Sequence, residues 1–275
     1  MAVESSKGIG RNLPNAVFVI ASPRSGTSAL AWALAQHPKM WTSAESYFNF
    51  YLFGKGRLRR AYRRADLTAK TGWLRVNGVG FEEFAAHLGV GVDSLYRSRS
   101  QGKIWIDHTP MYAEFATDTL AVMFPDARFL HLVRDGRSVV SSMLNSGFKS
   151  WWARNFFLAC ATWVVFARRG LALEEAYPER TLRVRHEDIV NDPSRVVAEV
   201  LDFIGLPDDE RPAKFLEINR VNSSFDNDDG KKIQDVKDTR ALKLRRWSSW
   251  GRMRILIFRW IAGRTMRTLG YSDVD

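Results

Sequence analysis

The sequence predicts an α/β fold, a single domain built on a central, mainly parallel β-sheet flanked by helices. Three observations carry that prediction. Short runs of apolar, β-branched residues recur along the chain, as at Val17–Ala21 and Arg128–Val133, and read as strands buried on both faces. Stretches with helical spacing alternate with them, the pattern expected of parallel crossovers. Polar side chains stand just past three strand ends, at Arg24, His108 and Arg134, and ligands of such sheets bind at that edge.

The first unit sets the pattern. Pro23 ends the Val17–Ala21 strand, and Gly26 lets the backbone turn tightly without a Cβ clash. Ser25, Thr27 and Ser28 then open an amphipathic run (Leu30, Trp32, Leu34) that stops at His37-Pro38. Strand, small-residue loop and helix N-terminus together form an anion cradle. Unpaired backbone N–H groups, flanking hydroxyls and the helix dipole all favour negative charge there. Arg24 adds a positive fork at the mouth. No Gly-Lys-Ser/Thr closes the loop and no lysine lies within it, so it is not a Walker A loop. A plain strand-turn-helix has the same local features, and the rest of the chain has to decide.

Further along, Trp41 to Phe53 is rich in aromatics and holds one acid, Glu45. Lys55 to Lys70 is a basic run, read as a solvated helix face. Phe81 to Leu95 has helical spacing interrupted by Gly89 and Gly91. Lys103 to Pro110 is a short strand with a polar tip, and Tyr112 to Met123 reads as a helix before the turn at Phe124–Ala127. Arg134 to Arg137 caps the Arg128–Val133 strand, and Ser138 to Leu144 continues as a helix. Asn155 to Ala176 is a long apolar helical pattern, Thr181 to Val184 a strand, and Val196 to Ile204 a helix stopped by Gly205. Ser223 to Lys232 has the composition of a mobile surface loop. The basic, tryptophan-bearing segment beyond it, wound as a helix from Arg252 to Arg267, spreads arginines around most of its circumference, against the clean apolar face of an interfacial helix.

Composition sets the outer bounds. A chain of 275 residues with 45% apolar and 12% aromatic residues suffices for one large domain, assigned to 16–275 behind a polar arm at 1–15. One cysteine, Cys160, excludes a disulfide framework and a cysteine-rich zinc site, and no carboxylate cluster marks a metal site. A net charge of +11 implies an anionic partner: nucleotide, acidic glycan, nucleic acid or membrane surface. The first 15 residues hold no apolar signal core, and no run approaches the ~18 apolar residues of a membrane span. The nearest, Ile255 to Ala262, is broken by Arg259. The expectation is a cytoplasmic protein.

Several motifs together resemble one family. Pro23-Arg24-Ser25-Gly26-Thr27-Ser28 is similar to the 5′-phosphosulfate loop of the sulfotransferases that use 3′-phosphoadenosine 5′-phosphosulfate (PAPS). Arg134-Asp135-Gly136-Arg137 through Ser142, approached by Phe124–Phe129, resembles their 3′-phosphate motif. Arg185-His186-Glu187-Asp188 with Asp192-Pro193 resembles a later landmark that usually has tyrosine at the place of His186, and Phe203–Pro207 is also family-like. The resemblance runs from about Val17 to Pro207.

It implies the sulfotransferase fold and transfer of a sulfuryl group from PAPS to an acceptor hydroxyl, with PAP as product and no metal. PAPS carries roughly four negative charges at neutral pH, which suits the cations here. The resemblance places Arg24, Ser25, Gly26, Thr27 and Ser28 on the 5′ end and Arg134 and Ser142 on the 3′ phosphate, and Arg246, next to Trp247, on the nucleotide. Arg137 serves equally well as a structural ion pair. Glu45 matches the general base of the tyrosylprotein-type branch by its spacing from Arg24 and the intervening His37-Pro38. His108 stands where many relatives carry lysine; it is a charge stabiliser for the leaving oxygen, itself the base, or a hydrogen-bonded strand-end residue. The acceptor is a small molecule, glycan or lipid. No nucleic-acid partner is expected, and the basic C-terminal segment is a candidate for peripheral membrane contact.

Overall fold

The computed structural model describes residues 13–67, 71–146, 153, 155–221, 233–235 and 246–272. Five strands form one sheet: β1 (Ala16–Ala21), β2 (Met40–Thr42), β3 (Ile104–Asp107), β4 (Arg128–Val133) and β5 (Thr181–Arg185). They pair in the order β2-β3-β1-β4-β5, and every pair is parallel. The predicted α/β class is therefore observed. From β1 the chain crosses toward β2 and β3; from β4 it crosses the opposite way, to β5. Adjacent strands whose connections part in this way open a crevice at their C-terminal ends. Arg24 follows one of those strands and Arg134 the other.

Each strand of β1 and β4 feeds two cores by alternation. Phe18, Ile20 and Phe129 face one side with Trp105, Tyr112 and Phe166. Val17, Val19, Ala21, Leu130 and Leu132 face the other with Leu30, Leu34, Val197 and Val200. The helices of the described residues are α1 (Thr27–Leu34), α2 (Tyr47–Phe53), α3 (Arg57–Leu67), α4 (Trp73–Val76), α5 (Phe81–Ser100), α6 (Ala121–Met123), α7 (Gly136–Leu144), α8 (Phe156–Ala176), α9 (His186–Asn191), α10 (Pro193–Ile204), α11 (Glu210–Ile218) and α12 (Arg252–Thr268). A two-stranded antiparallel pair, β6 (Asn219–Val221) and β7 (Ile233–Asp235), completes the described elements.

Several expectations need correction. Helix α5 runs through Gly89 and Gly91 to Ser100 without interruption. Gly89 is there for packing, since a Cβ would fall 1.9 Å from the carbonyl oxygen of Met123. The stretch from Tyr112 to Met123 is not one helix: a 3-10 turn at Pro110–Glu114, a π-turn at Ala116–Leu120 and the short α6 follow one another. The break falls at Phe115, whose φ of −144° leaves the helical region.

Helix α8 also differs from expectation. At 21 residues it is long and apolar enough to cross a membrane by length and composition, more so than Ile255–Ala262. Its apolarity has a core explanation, because it packs between the sheet and α12, burying Trp163, Phe166 and Leu173. Within the basic run at 55–70, Arg57–Leu67 form α3, with Arg57, Arg60, Arg63 and Arg64 exposed and Arg59 stacked on Phe81 at 4.0 Å. Residues 1–12, Trp151, Trp152, Ser223–Lys232 and Arg245 lie outside the described residues.

Candidate active site

The site is built at the crevice between β1 and β4. After β1 the chain turns through Ser22–Gly26, with the Ser25 N–H donating to the Ser22 carbonyl at 3.2 Å. Arg24 holds a left-handed φ of 71° and Gly26 one of 103°, the second of which favours glycine. A side chain at Gly26 is doubly excluded, since a Cβ would lie 2.8 Å from Cδ2 of His186. Gly26 is the N-cap of α1, no side chain caps that end, and no acid lies in its first turn. The first N–H groups of a helix have no intrahelical acceptor. With no side-chain cap and no acid at this end, the helix N-terminus favours an anion, which is the fit required of a phosphate or phosphosulfate group.

Two cations arrive from distant positions. Arg24 Nε donates to Ser142 Oγ at 3.3 Å, across 118 residues of chain, so the β1 loop and α7 meet. Arg134 Nη1 donates to the Arg24 carbonyl at 3.0 Å, tying the end of β4 to the same loop. Burial lowers the pKa of Arg134, against the pull of nearby Glu187. His186 packs under the loop; burial, with Arg134 beside it, lowers its pKa to about 3, so the ring is neutral at pH 7. Glu187 accepts from the Asp135 N–H at 3.0 Å and from the Tyr271 hydroxyl at 2.7 Å, bracing the strand end against the C-terminal segment.

Arg137 has a structural partner set. Its guanidinium bonds Asp135 at 2.8 Å and stacks over Trp247 at 4.1 Å. Trp247 is thus buried beneath Arg137. Arg246 begins a 3-10 turn, Arg246–Ser249; its side chain lies outside the description.

Glu45 and His108 form a second group, one strand over. His108, buried at the tip of β3, places Nε2 3.1 Å from the Ser43 carbonyl. Because a carbonyl only accepts, Nε2 carries a proton. Nδ1 is buried and has no hydrogen-bond partner. Glu45 lies half-buried between β2 and α2, and the Tyr47 hydroxyl donates to its carboxylate. Burial, then that bond, raise the pKa of Tyr47 well above the ordinary phenol value.

A cluster that sequence reasoning missed holds this group in place. The buried Asp107 carboxylate accepts from Tyr96 OH and Tyr112 OH, each at 2.6 Å, from Thr109 N at 3.1 Å and Oγ1 at 2.8 Å, and from Ser46 Oγ. The Ser46 N–H donates to Thr109 Oγ1 at 2.8 Å. The loop bearing Glu45 is therefore stapled to the tip of β3. The polar character of Asp107-His108-Thr109 was a signal for a strand tip, but nothing in the spacing pairs it with Tyr96.

Comparison with known proteins gives this fold a family. The family model described as "Sulfotransferase family" matches residues 14–210. The chain belongs to the sulfotransferase family. The general reaction of that family is PAPS-dependent sulfuryl transfer, which makes this chain a transferase.

Among relatives, a protein-tyrosine sulfotransferase A of Caenorhabditis elegans is 23% identical over 256 residues, covering 90% of this chain and 64% of the relative. The chain thus spans about two thirds of that protein's length. A sulfotransferase domain from the curacin biosynthetic pathway superposes with a TM-score of 0.60 at 18% identity, over 94% of this chain and 99% of that one. A mouse sulfotransferase, SULT7A1, complexed with PAP, gives a TM-score of 0.51 at 14% identity, over 94% and 86%. At these identities the likeness of the structures establishes the sulfotransferase fold. Among the described residues, no group of three or more His, Cys, Asp and Glu side chains is placed to hold a metal ion.

Proposed function

We propose that this chain moves a sulfuryl group from PAPS to a hydroxyl of a small-molecule, glycan or lipid acceptor. The observation that carries the reading is the convergence of Arg24, Ser142 and Arg134 beside the uncapped N-terminus of α1. PAPS supplies an activated sulfuryl group and leaves as PAP. Ser25 to Ser28 hold the 5′ end, with backbone N–H groups and hydroxyls, while Arg134 and Ser142 take the 3′ phosphate. Sulfuryl transfer needs in-line geometry, stabilised charge and a base.

Glu45 is the base of this proposal: its carboxylate accepts the proton of the attacking hydroxyl as the new S–O bond forms. It is half-exposed and can be reached from solvent, while His108 is almost fully buried. His108 has one free ring position, Nδ1. Since Nε2–H already faces Ser43, only the imidazolium form donates from Nδ1 to an anionic oxygen. His108 thus joins Arg24 in stabilising the leaving bridging oxygen when doubly protonated.

The test follows labelled sulfate from PAPS across a panel of phenolic, glycan and lipid hydroxyls. Transfer to at least one, lost in Glu45→Gln, supports the reading. A chain whose melting temperature rises with ATP-Mg and not with PAP sinks it.

A further inference from the structure

We propose that the outer face of α12 is a docking surface for an anionic lipid bilayer. The helix has two sides with different partners. Phe258, Ala262 and Met266 are buried against α8 and α7. On the other side Trp260 is 85% exposed, Met253 70% and Leu256 57%, a contiguous apolar stripe of the kind that marks an interaction surface. Their spacing at i, i+3 and i+7 sets them in a single line.

Tertiary packing resolves the arginine problem of the bare sequence. α12 contains five arginines and no acid. With the core-facing side fixed, Arg252 and Arg259 flank the stripe on one edge and Arg264 on the other, while Arg267 ends its line two turns beyond Trp260, all exposed. An apolar ridge carrying tryptophan and flanked by arginines on both edges matches the boundary between headgroups and acyl chains. The arginines reach anionic phosphates while Trp260, Met253 and Leu256 enter the apolar layer.

Charge selects the lipid occupant over a second copy of this chain. A two-fold contact through α12 would bring together two helices that carry five arginines each and no acid, which disfavours association. Nucleic acid would use the arginines and leave the apolar ridge unmatched.

The full chain is sedimented with phosphatidylcholine vesicles, with and without phosphatidylglycerol. Binding is expected only with phosphatidylglycerol and should weaken as salt rises. Arg252→Gln, Arg259→Gln and Arg264→Gln should each reduce partitioning about fivefold. The double variant Met253→Ser, Trp260→Ser should reduce it about tenfold or more, with an unchanged melting temperature showing that the buried side still folds. Failure to sediment with anionic vesicles overturns the proposal, as do variants that bind like the parent chain. A concentration-dependent dimer dissolved by Trp260→Ser gives the face to a second copy and overturns it too.

Discussion

Arg24 and Arg134 have distinct tasks, because each is held differently. Arg24 reaches Ser142 with its side chain and offers its backbone carbonyl to Arg134. Removing Arg134 therefore takes away a charge and also loosens the loop. Arg134→Ala should weaken PAP binding by roughly 1.5–3 kcal/mol, read by calorimetric titration; equal affinity removes Arg134 from the nucleotide site. Glu45 is expected to behave in the opposite way. Glu45→Gln keeps shape and removes the proton acceptor, so turnover should fall on the order of 10²–10⁴-fold with PAP affinity intact. If turnover is unchanged while His108→Asn abolishes it, the base is the histidine.

At the scale of elements, the loop after β1 and the helix after it work as one unit only because Gly26 sits at φ 103° with His186 against it. Gly26→Ala should cost roughly 1–3 kcal/mol of stability and lose PAP binding with it. A denaturant midpoint equal to that of the parent would show that the loop relaxes freely. Helix α5 provides a control remote from the site. Gly89→Ala pushes a methyl into the Met123 carbonyl and should destabilise by about 1–3 kcal/mol. Chemical denaturation measures it, and PAP affinity below the transition should stay as it was.

The stability of the whole molecule responds to acidity through His186 and Glu174. The His186 pKa, near 6.5 in an unfolded chain, is about 3 when folded. Between those values the unfolded state binds a proton that the folded state refuses, so His186 makes stability rise with pH from about 3 to 6.5. For Glu174, burial raises the pKa, but bonds from Arg183 and His131 outweigh it and hold the group at about 2. Its contribution is present above the ordinary carboxylate pKa and is lost as pH falls toward 2. Urea midpoints at pH 7 and pH 5 should therefore differ less for His186→Gln than for the parent chain; an equal difference refutes the assignment to His186.

Four of the five sheet strands and the strand-end positions of Arg24, His108 and Arg134 were legible in the sequence; the short β2 (Met40–Thr42) was not, lying in a stretch that reads only as aromatic-rich. Each depends on local pattern: β-branched runs, helical spacing and glycine or proline at the turns. The parallel pairing order, the Arg24–Ser142 contact and the five donors around Asp107 were decided by tertiary structure. The Arg24–Ser142 contact spans 118 residues and the Ser46–Asp107 contact 61, and even the nearer donors Tyr96 and Tyr112 come from other elements, so side-chain periodicity carries no information about these partners. The same holds for α12, where the sequence showed arginines all round, and only the buried Phe258–Met266 side told which residues face outward. Local chemistry is written along the chain; convergence is a property of the packed sheet, because the crevice exists only once β1 and β4 lie side by side.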